Sequence, residues 1–204
     1  MLNVETFRDL TLEAHSRFGG RAFLSDDPAL GTLSYSELFA FARGLEAKLH
    51  QLGVPVGAPV ATIFHNCGIA ALLFMAIIAS RRVLVPLNPA APEDECEYML
   101  SRAGCVAVIA DPSHARSVNY GDRIFQSVVH HRRYFEEVCE ASGDVRPELV
   151  GSSSLGGEIV FTSGSTGRPK GVVLSERNLL SNAMAIGRAY GFSAGHRFLT
   201  VCPL

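Results

Sequence analysis

Glu158-Ile159-Val160-Phe161-Thr162-Ser163-Gly164-Ser165-Thr166-Gly167-Arg168-Pro169-Lys170-Gly171-Val172-Val173-Leu174 is the stretch on which the reading of this chain turns. Glu158–Phe161 and Val172–Leu174 are short apolar runs of β type, so the residues between them join one strand to another. Gly164, Gly167 and Gly171 let the backbone turn sharply and come close to a ligand. Thr162, Ser163, Ser165, Thr166, exposed backbone amides and Lys170 supply hydrogen-bond donors and positive charge. Pro169 fixes one φ angle immediately before Lys170 and so holds the lysine at a reproducible place. The natural guest is an anionic polyphosphate. A Walker loop is excluded because Pro169, not glycine, precedes Lys170. A dinucleotide fingerprint is excluded because Thr162 stands where its first glycine is required. A plain Gly/Ser hairpin is the simpler alternative, but such hairpins rarely carry this order of hydroxyls, glycines, proline and lysine.

Outward from this segment, helical and strand patterns alternate. Phe7, Leu10, Ala14 and Phe18 recur at helical spacing and stop at Gly19-Gly20. Ala22–Leu24 and Thr32–Tyr35 flank Asp26-Asp27-Pro28 and Gly31, which predicts a hairpin. Ser34 and Glu37 have capping-box spacing for a helix with the stripe Leu38, Ala42, Leu45, Leu49 and Leu52, ended by Gly53. A strand over Val60–Phe64 follows, then an apolar helix for which Asn66 is the candidate cap, then a strand over Val83–Leu87. Pro92 with Glu93, Asp94 and Glu95 opens the next helix and Gly104 closes it. Cys105–Ala110 is a continuous apolar run of the kind found in a parallel sheet covered on both faces. Ile124–Val129 reads as a strand, Tyr134–Cys139 as a short helix, and 141–157 as an acidic then Gly/Ser-rich linker that marks a sub-domain boundary. Ser175 caps a helix with Leu179, Leu180, Ala183, Ile186 and Ala189, and Arg197–Val201 begins a last strand. The succession predicts an α/β domain, a layered parallel sheet flanked by helices with right-handed crossovers.

Residues Thr162 to Gly171 resemble, position by position, the signature loop of the adenylate-forming superfamily: acyl- and aryl-CoA synthetases, adenylation domains of peptide synthetases, and luciferases. Leu33-Ser34-Tyr35-Ser36-Glu37-Leu38 and Val85-Pro86-Leu87-Asn88-Pro89 are two further marks in the right order, the second worded more like an acyl-CoA synthetase than an amino-acid-activating domain. One departure is Ala79-Ser80-Arg81-Arg82, where the family commonly places Ala-Gly ahead of the strand. The resemblance implies that residues 1–204 form the N-terminal portion of the large domain of an AMP-forming acid:CoA ligase. It implies ATP as substrate, Mg2+ carried with the ATP, a small carboxylate as the second substrate, and CoA as acceptor. Thr162, Ser163, Gly164, Ser165, Thr166, Gly167, Lys170 and Gly171 would then hold the β- and γ-phosphates, with Lys170 stabilising the departing pyrophosphate. In relatives the adenine wall, the magnesium-holding glutamate, the ribose aspartate and a C-terminal catalytic lysine lie downstream of the loop. Residues 1–204 alone are therefore expected to be inactive, as a fragment of a larger enzyme. Two alternatives are a non-catalytic scaffold module and an amino-acid-activating adenylation domain.

Composition adds limits. Net charge is −2, which offers no global attraction to nucleic acid or anionic lipid. The basic cluster Arg123, His130, His131, Arg132 and Arg133 is local and reads as a solvated strand end and helix start. Five cysteines, Cys67, Cys96, Cys105, Cys139 and Cys202, show no C-x-x-C pair and suit reduced, cytoplasmic thiols filling a core. His65 and Cys67 lack a second ligand pair, so no metal site is expected. No secretory signal opens the chain, and Cys67–Ala79 falls short of the roughly 20 apolar residues a bilayer span requires. Exchanging 5 Tyr for 19 Gly raises the 48% apolar share to about 55%, above the usual level. That excess predicts self-association through an uncovered apolar face.

Overall fold

Apolar runs with no polar face can be accommodated only where both sides of a sheet are covered, and three such runs form the centre of this molecule. The computed structural model describes residues 4–112, 120–141, 156–162 and 167–198. Its elements in chain order are α1 (Phe7–Phe18), β1 (Ala22–Asp27), β2 (Gly31–Ser34), α2 (Tyr35–Gln51), β3 (Pro59–Ile63), α3 (Gly68–Ala79), β4 (Val83–Leu87), α4 (Glu93–Ala103), β5 (Ala107–Ala110), β6 (Ile124–Ser127), α5 (His131–Glu140), β7 (Gly157–Thr162), β8 (Lys170–Ser175) and α6 (Glu176–Ala189). β1 and β2 form an antiparallel hairpin, and the remaining strands form a sheet in the order β6-β5-β3-β4-β7-β8. Every neighbour in that sheet is parallel except β7 and β8, which are antiparallel.

Alternation along the strands sorts the core into two layers. Val60, Leu84, Ala107 and Ile109 face one side, where α1, α2, α3 and α5 pack, with α6 joining through Leu180. Ala61, Ile63, Val85, Leu87, Val108 and Ala110 face the other, where α4 packs through Cys96, Met99 and Leu100. Helix α3 is apolar on all sides, with Ile69, Leu72, Leu73, Ala76, Ile77 and Ile78 buried completely. Each such Leu or Ile contributes about 1.5–3 kcal/mol on leaving water. Among the described residues, no helix is long and apolar enough to cross a membrane.

The capping box of α2 forms as the sequence predicts: Glu37 N–H donates to Ser34 Oγ at 3.2 Å and Ser34 N–H to Glu37 Oε2 at 2.7 Å. Tyr35 opens this helix rather than ending the strand before it. Helix α1 carries an equivalent box from Thr6 and Asp9, and α4 starts after Pro92 and ends at Gly104 in the left-handed region (φ 67°). Asn66 is not the cap of α3. Cys67 occupies the N-cap without a side-chain bond, and the Gly68 amide donates instead to Asp27 Oδ2 at 2.7 Å, reaching across to the β1–β2 hairpin. Where the family places Ala-Gly, Arg81 takes a left-handed conformation (φ 62°). Buried Arg82 beside it donates to the Ser80 and Val54 carbonyls, each at 2.7 Å.

The basic cluster is structural. Arg132 and Arg133 pair with Glu136 and Glu137, each at 2.8 Å, and Arg123 Nε donates to the Cys105 carbonyl at 3.0 Å. Cys67, Cys96, Cys105 and Cys139 are free thiols, and burial pushes Cys105 up to about 12, which keeps it inert. Arg197 and Phe198 are not in a strand; the rest of that expected element, most of the 141–157 linker and Cys202 lie outside the described residues.

Gly44 of α2 is where α5 approaches most closely, since a Cβ there would stand 1.7 Å from the Val138 carbonyl oxygen. An alanine in mid-helix ordinarily gains up to about 1 kcal/mol over glycine. Here Gly44→Ala is expected to lose about 1–3 kcal/mol by overpacking, read as a lower thermal midpoint. An unchanged or raised midpoint would mean that the α2–α5 contact is looser than described.

Candidate phosphate-binding hairpin

The backbone ladder that joins strand β7 to the parallel sheet is short. The pairing of β7 with β4 covers only Val83↔Gly157 and Leu84↔Glu158, whereas its pairing with β8 runs in unbroken register from Gly157↔Ser175 to Thr162↔Lys170. Past Glu158 the backbone ladder of β7 runs to β8 alone, while Ile159 and Phe161 pack on the layer that contains Val85 and Leu87. The β7–β8 hairpin emerges at the carboxyl ends of the parallel strands, the edge at which open α/β sheets accommodate ligands.

The base of the hairpin is anchored on the helix-rich side. Ser175 caps α6 by accepting from Asn178 N–H at 3.2 Å. Glu176, at the first position of that helix, is buried and accepts from the Phe7 amide of α1, while its own N–H donates to the Gly156 carbonyl at 3.2 Å. Burial raises the Glu176 carboxyl above its ordinary value, and the Phe7 amide and the Arg81 and Arg8 guanidinia counter that. Glu158, between Leu84 and Leu174 in the ladder, is also buried and is raised by desolvation alone.

At the tip, the structure describes four of the eight residues expected to hold phosphate: Thr162, Gly167, Lys170 and Gly171. Ser163, Gly164, Ser165 and Thr166 lie outside the described residues. Thr162 and Lys170 face each other across the two strands, and Thr162 Oγ1 lies 3.5 Å from the Lys170 carbonyl. Both are exposed, and Lys170 makes no ion pair among the described residues. Gly167 has φ 101°, a conformation that strains any side chain, and its surroundings are open. Gly171 is needed for space: a Cβ there would sit 3.2 Å from Ile159 Cγ2 and 3.3 Å from Phe161 Cε1. Phe161 therefore lies over Gly171 on the α4 side, an aromatic ring filling the gap left by a cross-strand glycine.

Sequence reasoning missed three features here. They are the Phe161 ring over Gly171, the buried Glu158 and Glu176, and the Arg168 guanidinium lying 4.9 Å over the Tyr98 ring of α4. Each depends on register or on a distant helix. Among the described residues there is no group of three or more His, Cys, Asp or Glu that could hold a metal ion. A small pocket lined by Val129, His130, Arg133 and Tyr134 lies at the β6–α5 junction, on the opposite edge of the sheet.

An exposed lysine at the root of a glycine-bearing turn is shared by many anion sites, so comparison with known proteins decides the family. Residues 12–204 match the model of the AMP-binding enzyme family. The chain belongs to that family. Nonribosomal peptide synthetase 1 of Ajellomyces capsulatus is 31% identical over 176 residues, covering 83% of this chain and 9% of the synthetase. HC-toxin synthetase of Cochliobolus carbonum is 28% identical over 177 residues, covering 83% of this chain and 3% of that protein. The chain thus spans under a tenth of these curated relatives. The N-terminal subdomain of Klebsiella oxytoca NpsA, solved with 3-hydroxybenzoyl-AMSN, superposes with a TM-score of 0.65 at 26% identity, covering 86% of this chain and 42% of that one. VinN in complex with L-aspartate shares the fold, with a TM-score of 0.78 at 24% identity, covering 93% of this chain and 53% of that chain.

The buried Glu158 makes stability depend on pH. A carboxyl raised above its unfolded value of about 4.3 holds its proton more tightly in the folded state, so stability falls as pH rises from there through the folded value. Glu158→Gln is expected to be more stable than the parent in denaturant at pH 7.5 and to lose that advantage at pH 4. Equal stability at pH 7.5 would show that the carboxylate is solvated.

Proposed function

We propose that the β7–β8 hairpin grips the terminal phosphates of ATP, and that the chain contributes this grip to an AMP-forming enzyme that activates a carboxylate. The observation that carries this reading is the exposed Lys170, held opposite Thr162 at the end of the β7–β8 ladder and next to the open, left-handed turn at Gly167. Positive charge, an exposed hydroxyl and the open surroundings of Gly167 fit a polyanion, and no carboxylate among the described residues competes for the lysine. In the complete reaction a carboxylate attacks the α-phosphorus of Mg-ATP, and acyl-AMP and pyrophosphate result. Lys170 balances charge on the departing pyrophosphate. Thr162, Ser163, Ser165 and Thr166, with the amides beside Gly164, Gly167 and Gly171, keep its oxygens in line. The metal comes with the nucleotide.

A charge-assisted contact of this type contributes about 1.5–3 kcal/mol. Lys170→Ala should therefore bind Mg-ATP about 10–150-fold more weakly in calorimetry, with an unchanged circular-dichroism spectrum. Equal affinity in the two proteins would refute the assignment.

For the acid, two readings stand. Val85-Pro86-Leu87-Asn88-Pro89 supports an acid:CoA ligase with CoA as acceptor. The peptide synthetases among the curated relatives support the other, an amino-acid-activating adenylation domain. Pyrophosphate exchange by the full gene product with a panel of amino, fatty and aryl acids separates them. The free thiols suit a cytoplasmic setting. Exposed Val172, Val173, Met184, Ile186, Tyr190 and Phe198 support self-association of the 204-residue chain. Light scattering should give a mass above that of one chain, and a monodisperse monomer would count against it.

A further inference from the structure

We propose that Tyr98 of α4 is a positioning residue for the phosphate hairpin, its ring receiving the Arg168 guanidinium and thereby fixing the strand-ward leg of the loop, Gly167 to Lys170. This rests on the phosphate-binding reading above and adds the part of the protein that sets the loop's place.

Three observations carry it. First, the hairpin has no ladder to β4 beyond Glu158, so side chains, not backbone bonds to β4, set the place of its tip. Second, Arg168 supplies one such contact: its guanidinium carbon lies 4.9 Å from the centre of the Tyr98 ring, within the range of a cation–π contact. Third, the platform is firm. Tyr98 is half-buried against the same apolar layer as Ile159 and Phe161, and Cys96, Met99 and Leu100 on either side of it seat α4 in the core.

Position along the chain turns that contact into a positioning device. Only Pro169 separates Arg168 from Lys170, and its ring removes one of the rotations by which the two could move independently. Holding Arg168 on α4 therefore limits where the backbone of Lys170 can lie. Phe161 over Gly171 pins the next residue on the same side. The two contacts bracket the lysine. Arg168 is not free to serve as a phosphate ligand while it lies on the ring, so Tyr98 and Arg168 must act together.

The test uses the full gene product and its Tyr98→Leu, Tyr98→Phe, Arg168→Leu and Arg168→Lys variants, with the Tyr98→Leu/Arg168→Leu double variant. Amide hydrogen exchange over Gly167–Gly171 is measured without nucleotide, and the affinity for Mg-ATP by calorimetry. Leucine keeps the apolar volume at Tyr98, and Arg168 is exposed, so at least one of the two sites can be altered without touching the core. Tyr98→Leu and Arg168→Leu are expected to speed exchange and weaken Mg-ATP by about two- to five-fold each. The double variant should be no worse than either single one. Tyr98→Phe and Arg168→Lys, which keep a ring and a cation, should stay near the parent. Parental exchange in Tyr98→Leu would overturn the proposal. So would an affinity loss in Arg168→Leu that Tyr98→Leu does not share, because Arg168 would then be acting on phosphate directly. If the parent chain bound no Mg-ATP while the exchange pattern held, the attachment to α4 would be upheld and the phosphate reading would fall.

Discussion

Two residue pairs between β4 and β7 are all the parallel ladder that connects the signature hairpin to the sheet. Everything else about the hairpin follows from that brevity. Beyond Glu158 no backbone ladder to the parallel neighbour places the strand, so placement falls to β8, to side chains and to the elements that precede and follow it. On one side Glu176 ties the start of α6 to the first amide of α1. On the other, Ile159, Phe161 and Arg168 lean on the layer built around α4. The hairpin is held at its root by hydrogen bonds to buried groups and nearer its tip by aromatic contacts, which leaves the lysine and the turn at Gly167 in solvent.

The layers make this possible because the sheet is covered unequally. Among the described residues, five helices and much of the apolar volume lie on the face of Val60, Leu84 and Ile109, with the largely buried α3 among them. The opposite face carries α4 among the helices, and it is this thinner layer that reaches the hairpin. A single helix seated by three buried side chains is firm enough to serve as a platform and slender enough to leave the adjoining edge open.

What the sequence made legible was local. Ser34 with Glu37, Pro92 with its three acids, Gly104 and the stripe of α2 each declare themselves within a turn or two, because capping and periodicity act over three or four residues. The apolar runs at β3, β4 and β5 were legible too, since burial on both faces removes the polar alternation. The cap of α3 was not: the receptor of its first amide is Asp27, far back in the β1–β2 hairpin, while the neighbouring Asn66 looked the part. In the candidate site, residue types and spacing singled out the loop and Lys170 as candidates, and the family match follows the same stretch. Tyr98 gave no such sign, being one aromatic among several until the fold sets it beneath Arg168. Glu158 was read as an ordinary strand residue, and its burial follows from its register against Leu84 and Leu174.

The corner between α3 and β4 shows what a departure from the family pattern costs and returns. Arg81 stands in a backbone conformation that glycine adopts freely and that burdens an L-residue by about 1–2 kcal/mol. Its carbonyl is nonetheless received by the Gly57 amide at 2.8 Å, so the corner stays put. A glycine there would relax the main chain but would also withdraw the cation whose field opposes the desolvation of Glu176. The chain has accepted a bent corner in exchange for a cation beside the buried carboxyl at the root of the β7–β8 hairpin.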